Sequence, residues 1–115
     1  MRIQIKGGNI SISELREHVE KRFLKISKQV SELARLDVEV WEERNPRIAD
    51  SQVVEVTLHV KGRPPLRAHD ASPNMSHSVN LCYEELARQV KRHKAKQRHR
   101  REQRASHAQG VSPAL

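Results

Sequence analysis

Two periods of apolar residues run along this chain. Arg2-Ile3-Gln4-Ile5-Lys6 switches between polar and apolar at every position and then meets Gly7-Gly8-Asn9. A period of two with a turn behind it predicts a short half-buried strand over 2–6. Beyond it the period lengthens, because Leu15, Val19, Phe23, Ile26 and Val30 recur at intervals of three and four. That spacing predicts an amphipathic helix over about 13–30, with Ser13 as its N-cap and Glu14 and Glu17 at the positive end of its dipole. Arg16, Lys21, Arg22, Lys25 and Lys28 fall on its outer face, and Glu17 stands four residues before Lys21, the spacing of a helical ion pair.

Alternation returns at Leu36, Val38 and Val40, and again at Val54, Val56, Leu58 and Val60. These are two strands, joined by a loop near Asn45 to Ser51. Gly62-Arg63-Pro64-Pro65 is a turn that a central strand would not accept, and Leu66 to Ala71 forms a fourth strand after it. Ser72-Pro73-Asn74 ends that strand and opens a second helix, along which Met75, Val79, Cys82, Tyr83, Leu86 and Val90 keep helical spacing. The order β-α-β-β-β-α predicts an α+β two-layer sandwich, with both helices packed on one face of a four-stranded, mainly antiparallel sheet. After Val90 the large apolar residues stop, so residues 91–104 have little to bury and are expected to fray when free. The expected division is one domain over 1–104 and a disordered tail over 105–115, since 115 residues fit a single core.

Charge changes the picture most. Nine Lys or Arg and one acid, Glu102, lie between Arg88 and Arg104, so this stretch carries the whole net charge of +8. Residues 1–87 hold 13 basic and 13 acidic side chains and sum to zero. A neutral body with one concentrated cationic arm suits a polyanion, because each neutralised phosphate releases condensed counterions. Along a helix Arg88, Arg92, Lys96, Arg100 and Arg104 fall four apart, with Lys91, Lys94, Arg98 and Arg101 in the adjacent stripe. The arm lacks the large apolar residues that sink an interfacial helix into lipid, so nucleic acid is the expected partner and a membrane is not.

Other candidate chemistry is sparse. With one Phe, one Trp and one Tyr, the chain has few rings for stacking bases. Phe23 and Tyr83 occupy apolar helix positions and read as core, while Trp41 lies on the polar face of its strand and reads as edge packing. The seven His are scattered, without a Cys pair or HExxH, so no metal, cofactor or small-molecule substrate is expected. His59 and His69 fall on strands near Arg67, the arrangement on which an RNA-cleaving activity would have to rest. Gly7-Gly8 is too short to cradle a phosphate. Cys82 sits on an apolar helix position as a small core residue, and a lone Cys excludes an internal disulfide. The first 30 residues lack the apolar run of a signal peptide or membrane span, which predicts a cytoplasmic protein.

Leu86-Ala87-Arg88-Gln89-Val90-Lys91-Arg92-His93-Lys94-Ala95-Lys96 resembles the end of the second helix in the ribosome hibernation factors, the family of hibernation promoting factor and ribosome-associated inhibitor A. Gly8-Asn9-Ile10, Leu15-Arg16-Glu17-His18-Val19, Lys21-Arg22-Phe23 and Val38-Glu39-Val40 leading into Glu43-Arg44-Asn45-Pro46 resemble its first half, in the same order. The similarity covers about residues 2–100. It implies the β-α-β-β-β-α fold and a non-enzymatic protein that binds 16S rRNA in the mRNA and tRNA channel of the 30S subunit, blocking translation on idle ribosomes. By the same resemblance Arg16, Arg22 and Lys25 on the first helix, with Arg88, Arg92, Lys94 and Lys96 on the second, would contact the rRNA, Lys28 and Lys91 lying beside them.

Where the family shows Asp-Met-Tyr and later Ile-Asp, this chain has Asn74-Met75-Ser76 and Val79-Asn80, so two acids have become amides and a Tyr has become Ser. Long members add a C-terminal dimerisation domain, which this chain stops short of. It also lacks the acidic tail of the inhibitor-type short members, so it reads either as a native short form or as an isolated N-terminal domain whose linker ends at Leu115. It is therefore expected to act as a monomer off the ribosome and not to pair ribosomes by itself. The alternatives from other classes are a small endoribonuclease and a protein-binding transcription regulator, the latter because the family was once named for modulation of a sigma factor.

Overall fold

The computed structural model describes residues 1–111, with side chains described over 1–99. Six elements follow in the expected order: β1 (Arg2–Gly7), α1 (Ser13–Ser27), β2 (Arg35–Glu42), β3 (Gln52–His59), β4 (Leu66–Ser72) and α2 (Met75–Val111). They build an α+β fold whose sheet runs β1-β2-β3-β4. β1 and β2 are parallel, which requires a crossover, and α1 supplies it. The β2–β3 and β3–β4 pairs are antiparallel.

Register carries the apolar alternation straight across the sheet. Ile3, Leu36, Leu58 and Leu66 stand in one row, and Ile5, Val38, Val56 and Ala68 in the next. Against these rows pack Val19, Phe23 and Ile26 of α1 with Val79, Cys82, Leu86 and Val90 of α2. Leu36, Val40, Val54, Val56, Leu58, Phe23, Val79 and Leu86 are wholly shielded from solvent. Successive side chains on a strand point to opposite faces. Arg2, Gln4, Lys6, Asp37, Glu39, Trp41, Glu55, Arg67 and His69 therefore occupy the other face of the sheet.

Both helix starts differ from or refine the expectation. Ser13 does not cap α1: it is the first helical residue, and Ile12 holds the cap position with no side-chain hydrogen bond. The Ser13 hydroxyl instead lies 3.2 Å from that of Ser11. At α2 the side chain of Asn74 accepts the His77 N–H at 3.0 Å, so this amide serves as the N-cap. α1 also stops at Ser27, short of residue 30. There Gln29 N–H reaches the Ile26 carbonyl at 2.9 Å, three residues back, which tightens the last turn and turns the chain out. Val30 still packs against the core from beyond the helix.

Close approaches fix the top of the sheet. A Cβ on Gly7 would come within 2.7 Å of the Ile12 side chain and closer still to the Ile10 carbonyl, so no larger residue fits there. Asn9 continues the β1–β2 pairing with its side chain, donating to the Glu42 carbonyl and accepting the Glu42 N–H, both at 2.9 Å. Ser78 is fully buried, yet its hydroxyl donates to the Gln52 carbonyl at 2.6 Å and lies 2.7 Å from the Ser72 hydroxyl. These bonds pin the first turn of α2 to the ends of β3 and β4.

Among the residues whose side chains are described, Val90 is the last buried one of α2. The helix continues to Val111, passing through Ala105, where composition alone places the start of a tail. Residues 112–115 of that expected tail lie outside the described residues.

Two outcomes test this core. Val79→Asp places a carboxylate where solvent does not reach and should cost at least about 4 kcal/mol, enough to abolish cooperative unfolding in a denaturant titration followed by circular dichroism. Cys82 donates to the Val54 carbonyl at 3.2 Å, and burial, with the charge of Asp70 second, pushes its thiol up to about 12. At pH 8 it should therefore resist a thiol-specific disulfide reagent in the native protein and react fully once denaturant is added.

Candidate nucleic-acid interface

The cationic candidates on α2 begin where its buried stripe is still present and continue past it. Arg88, Lys91, Arg92, Lys96 and Arg98 are exposed and Lys94 is half-buried. With 3.6 residues per turn, Lys91, Lys94 and Arg98 share the flank of α2 that carries Tyr83, while Arg92 and Lys96 lie on the opposite flank with Gln89. Arg92, His93 and Lys96 line a shallow groove of about 300 Å³ with Leu66 and Gln89 along β4. Gln89 closes its floor by donating to the Arg67 carbonyl at 2.6 Å. The broad cationic face read from the spacing thus wraps around α2, one flank toward α1 and the other toward β4.

Arg88 already has a partner. Its guanidinium lies 2.6 Å from Glu85 one turn earlier, and this hydrogen bond raises the Arg88 pKa and, with Gln89, holds the Glu85 carboxyl below its usual range. Both groups are open to solvent, so the pair is easily exchanged for a phosphate.

On α1, Arg22 and Lys25 are exposed on the flank that faces α2. His18, Lys21, Arg22 and Lys25 from α1 meet Tyr83 from α2 around a cleft of about 220 Å³. The Arg22 guanidinium carbon stands 5.7 Å from the centre of the Tyr83 ring, a cation–π distance. Tyr83 is held edge-on against Phe23, with ring centres 5.7 Å apart and planes at 79°. Lys21 is tied to Glu17 at 3.1 Å, the pair expected from its spacing. Arg16 is exposed near the start of α1, roughly 9 Å along the helix from Arg22 at about 1.5 Å per residue, and does not line the cleft.

Tyr83 and His18 are the two cleft residues that sequence reasoning passed over. Tyr83 occupies a helix position that reads as core and is in fact only partly buried. His18 is one of seven scattered His, but it stands four residues before Arg22 and seven before Lys25, on the same flank of α1. That spacing is the signal that could have found it.

The other face of the sheet does not assemble the pair that an RNA-cleaving site would need. Thr57 pairs with Arg67 and Glu55 with His69, so His59 and His69 are four positions apart along the strands, about 13 Å at 3.3 Å per residue. His59 is bonded to Asp37 at 3.1 Å, and Arg35 also approaches that carboxylate at 3.2 Å. His69 instead neighbours the half-buried Trp41, with ring centres 5.9 Å apart. Among the described residues no group of three His, Cys, Asp or Glu is placed to hold a metal ion, and no helix is long and apolar enough to cross a membrane.

Fold and surface together define a small α+β domain that presents cations on the outer sides of two helices resting on one sheet. The chain belongs to the family described as Sigma 54 modulation protein / S30EA ribosomal protein, whose model matches residues 3–98. It is 33% identical over 98 residues to the ribosome hibernation promotion factor of Picosynechococcus, a match covering 84% of this chain and 50% of that protein. It is 29% identical over 101 residues to the ribosome hibernation promotion factor of Lactococcus lactis, covering 84% of this chain and 51% of that one. The chain thus spans about half the length of the curated relatives it matches. Among solved structures, a ribosomal subunit interface protein from Coxiella burnetii has the same fold, with a TM-score of 0.68 at 23% identity over 83% of this chain and 99% of that one. The N-terminal domain of Thermus thermophilus Protein Y shares it at a TM-score of 0.66 and 20% identity, over 80% and 98% of the two chains.

Proposed function

We propose that this domain is a ribosome hibernation factor, binding the 16S rRNA of the 30S subunit in the mRNA and tRNA channel and inhibiting translation on idle ribosomes. The observation that carries the reading is the distribution of charge. Residues 1–87 sum to zero, while residues 88–104 of the second helix carry the net +8, and Arg88, Lys91, Arg92 and Lys96 there are exposed, as are Arg22 and Lys25 on the first helix. Family membership and two relatives named ribosome hibernation promotion factor support the ribosome as the polyanion.

Arg16, Arg22, Lys25, Arg88, Lys91, Arg92, Lys94 and Lys96 are assigned to the rRNA backbone, with Arg favoured where a forked donor meets two phosphate oxygens. Contacts of this kind position a protein on RNA by shape and charge and need no stacked bases. Inhibition then follows from occupancy: a body seated in the channel excludes mRNA and tRNA, and no bond in the RNA has to be broken. The protein works in the cytoplasm, where the ribosomes are.

Co-sedimentation with 30S subunits at increasing salt tests the reading. Affinity should fall steeply, by a logarithmic slope of about 0.7 to 0.9 for each phosphate contact. Arg88→Ala with Arg92→Ala should weaken binding at least about tenfold and flatten that slope, while the melting temperature stays nearly where it was. An affinity indifferent to salt would remove the electrostatic basis, and cut RNA ends after incubation with the protein would replace occupancy with catalysis.

A further inference from the structure

We propose that the outer edge of β1 takes up an extended segment of a protein partner in which acidic and apolar residues alternate, adding a strand to the sheet. The inference goes beyond the RNA-binding reading and does not depend on it.

The two edges of the sheet differ. At β4 a helix side chain takes up an edge carbonyl, since Gln89 of α2 donates to Arg67 at 2.6 Å. At β1 the Arg2 N–H reaches the Ala34 carbonyl and the Gly8 N–H the Val40 carbonyl, both at 2.8 Å. The even-numbered residues of β1 therefore bond inward to β2, and the N–H and carbonyl groups of Ile3 and Ile5 turn outward. Among the described residues no hydrogen bond meets these four outward groups. A row of unpaired backbone donors and acceptors is a template for another strand.

Apolar packing is also unfinished at this edge. Ile3 and Ile5 point to the helix side yet are only half-buried, whereas Leu36 and Val38 beside them on β2 are almost wholly shielded. Ile10 and Ile12, from the turn that follows, are half-buried against the same core. Apolar side chains on an added strand would extend this layer by one row. The other face selects the partner. Arg2 and Lys6 are exposed there on either side of Gln4, and neither is in an ion pair among the described residues. Arg2 even stands level with Arg35, so an acid beside it relieves a like-charge neighbour. A second copy of this chain fits poorly. The antiparallel register that uses all four outward groups sets Ile3 against Ile5 of the other copy, and so sets Arg2 against Lys6 twice, with like charges opposed. The strand that fits reads acid, apolar, polar, apolar, acid.

Backbone amide exchange, followed by NMR in the isotope-labelled full chain, tests the edge. The probe is the capped peptide Ser-Glu-Val-Gln-Val-Glu-Ser, and the control is a peptide of the same composition with its two Val adjacent. The Ile3 and Ile5 amides should exchange freely in the protein alone and be slowed at least about tenfold by the alternating peptide, but not by the control. Arg2→Glu with Lys6→Glu should weaken the alternating peptide at least about tenfold and admit a version carrying Lys in place of Glu. Unchanged Ile3 and Ile5 amides with the alternating peptide overturn the proposal. Shifts confined to α2 with both peptides overturn it too, because acids then answer only to the net charge. Protection that grows with protein concentration without peptide, together with a dimer mass in sedimentation equilibrium, gives the edge to a second copy and overturns the partner assigned here. If the double variant does not fold, the wild type with the Lys-bearing peptide takes its place: binding as tight as that of the Glu peptide overturns the charge preference. None of these outcomes moves 30S co-sedimentation, so the RNA-binding reading stands or falls separately.

Discussion

A four-stranded sheet has two faces, and this chain buries one of them under both of its helices. The constraint comes from β2 and β3, whose residues Leu36, Val38, Val40, Val54, Val56 and Leu58 are shielded almost completely, whereas their alternate neighbours include Asp37, Glu39, Glu55 and Thr57. Only the apolar face can accept a helix. Because α1 and α2 must share it, their outer surfaces end up side by side, and cations far apart in sequence become neighbours. Val79, Cys82, Leu86 and Val90 anchor α2 in that seam. The like charges at i, i+4 that follow would weaken an isolated helix, so the buried turns before Val90 are what nucleate it.

The placement of charge follows from the same geometry. The carboxylates Asp37, Glu39 and Glu55 share the face of the sheet away from the helices with Arg2, Lys6 and Arg67, so the excess of cations lies on α2. Even Arg88, the candidate with an acid in reach, is bound to an exposed partner whose hold on it is weak. A phosphate backbone approaching the helices therefore meets donors that are exposed or readily freed. The two flanks of α2 extend this surface in different directions, toward α1 through Tyr83 and toward β4 through Arg92 and Lys96. A body with cations on more than one side suits a folded RNA site with walls better than a single straight duplex.

What the sequence determined by itself is everything that period and composition encode locally. The element order, the core residues from Val19 to Val90 and the concentration of charge after Arg88 were all legible, because burial writes a period of two or 3.6 into a chain and charge needs no coordinates. The resemblance of the Leu86–Lys96 stretch pointed to the family that the comparisons then established. What only the tertiary structure decided depends on atoms brought together from distant positions. The end of α1 at Ser27 is set by a tightened turn, and the bond of Asn9 to Glu42 spans 33 residues. The cleft joins His18 to Tyr83, 65 positions later, and gives a ring nitrogen a shielded place without a partner. No period marks such a residue, because its role is fixed by the helix that happens to lie across from it.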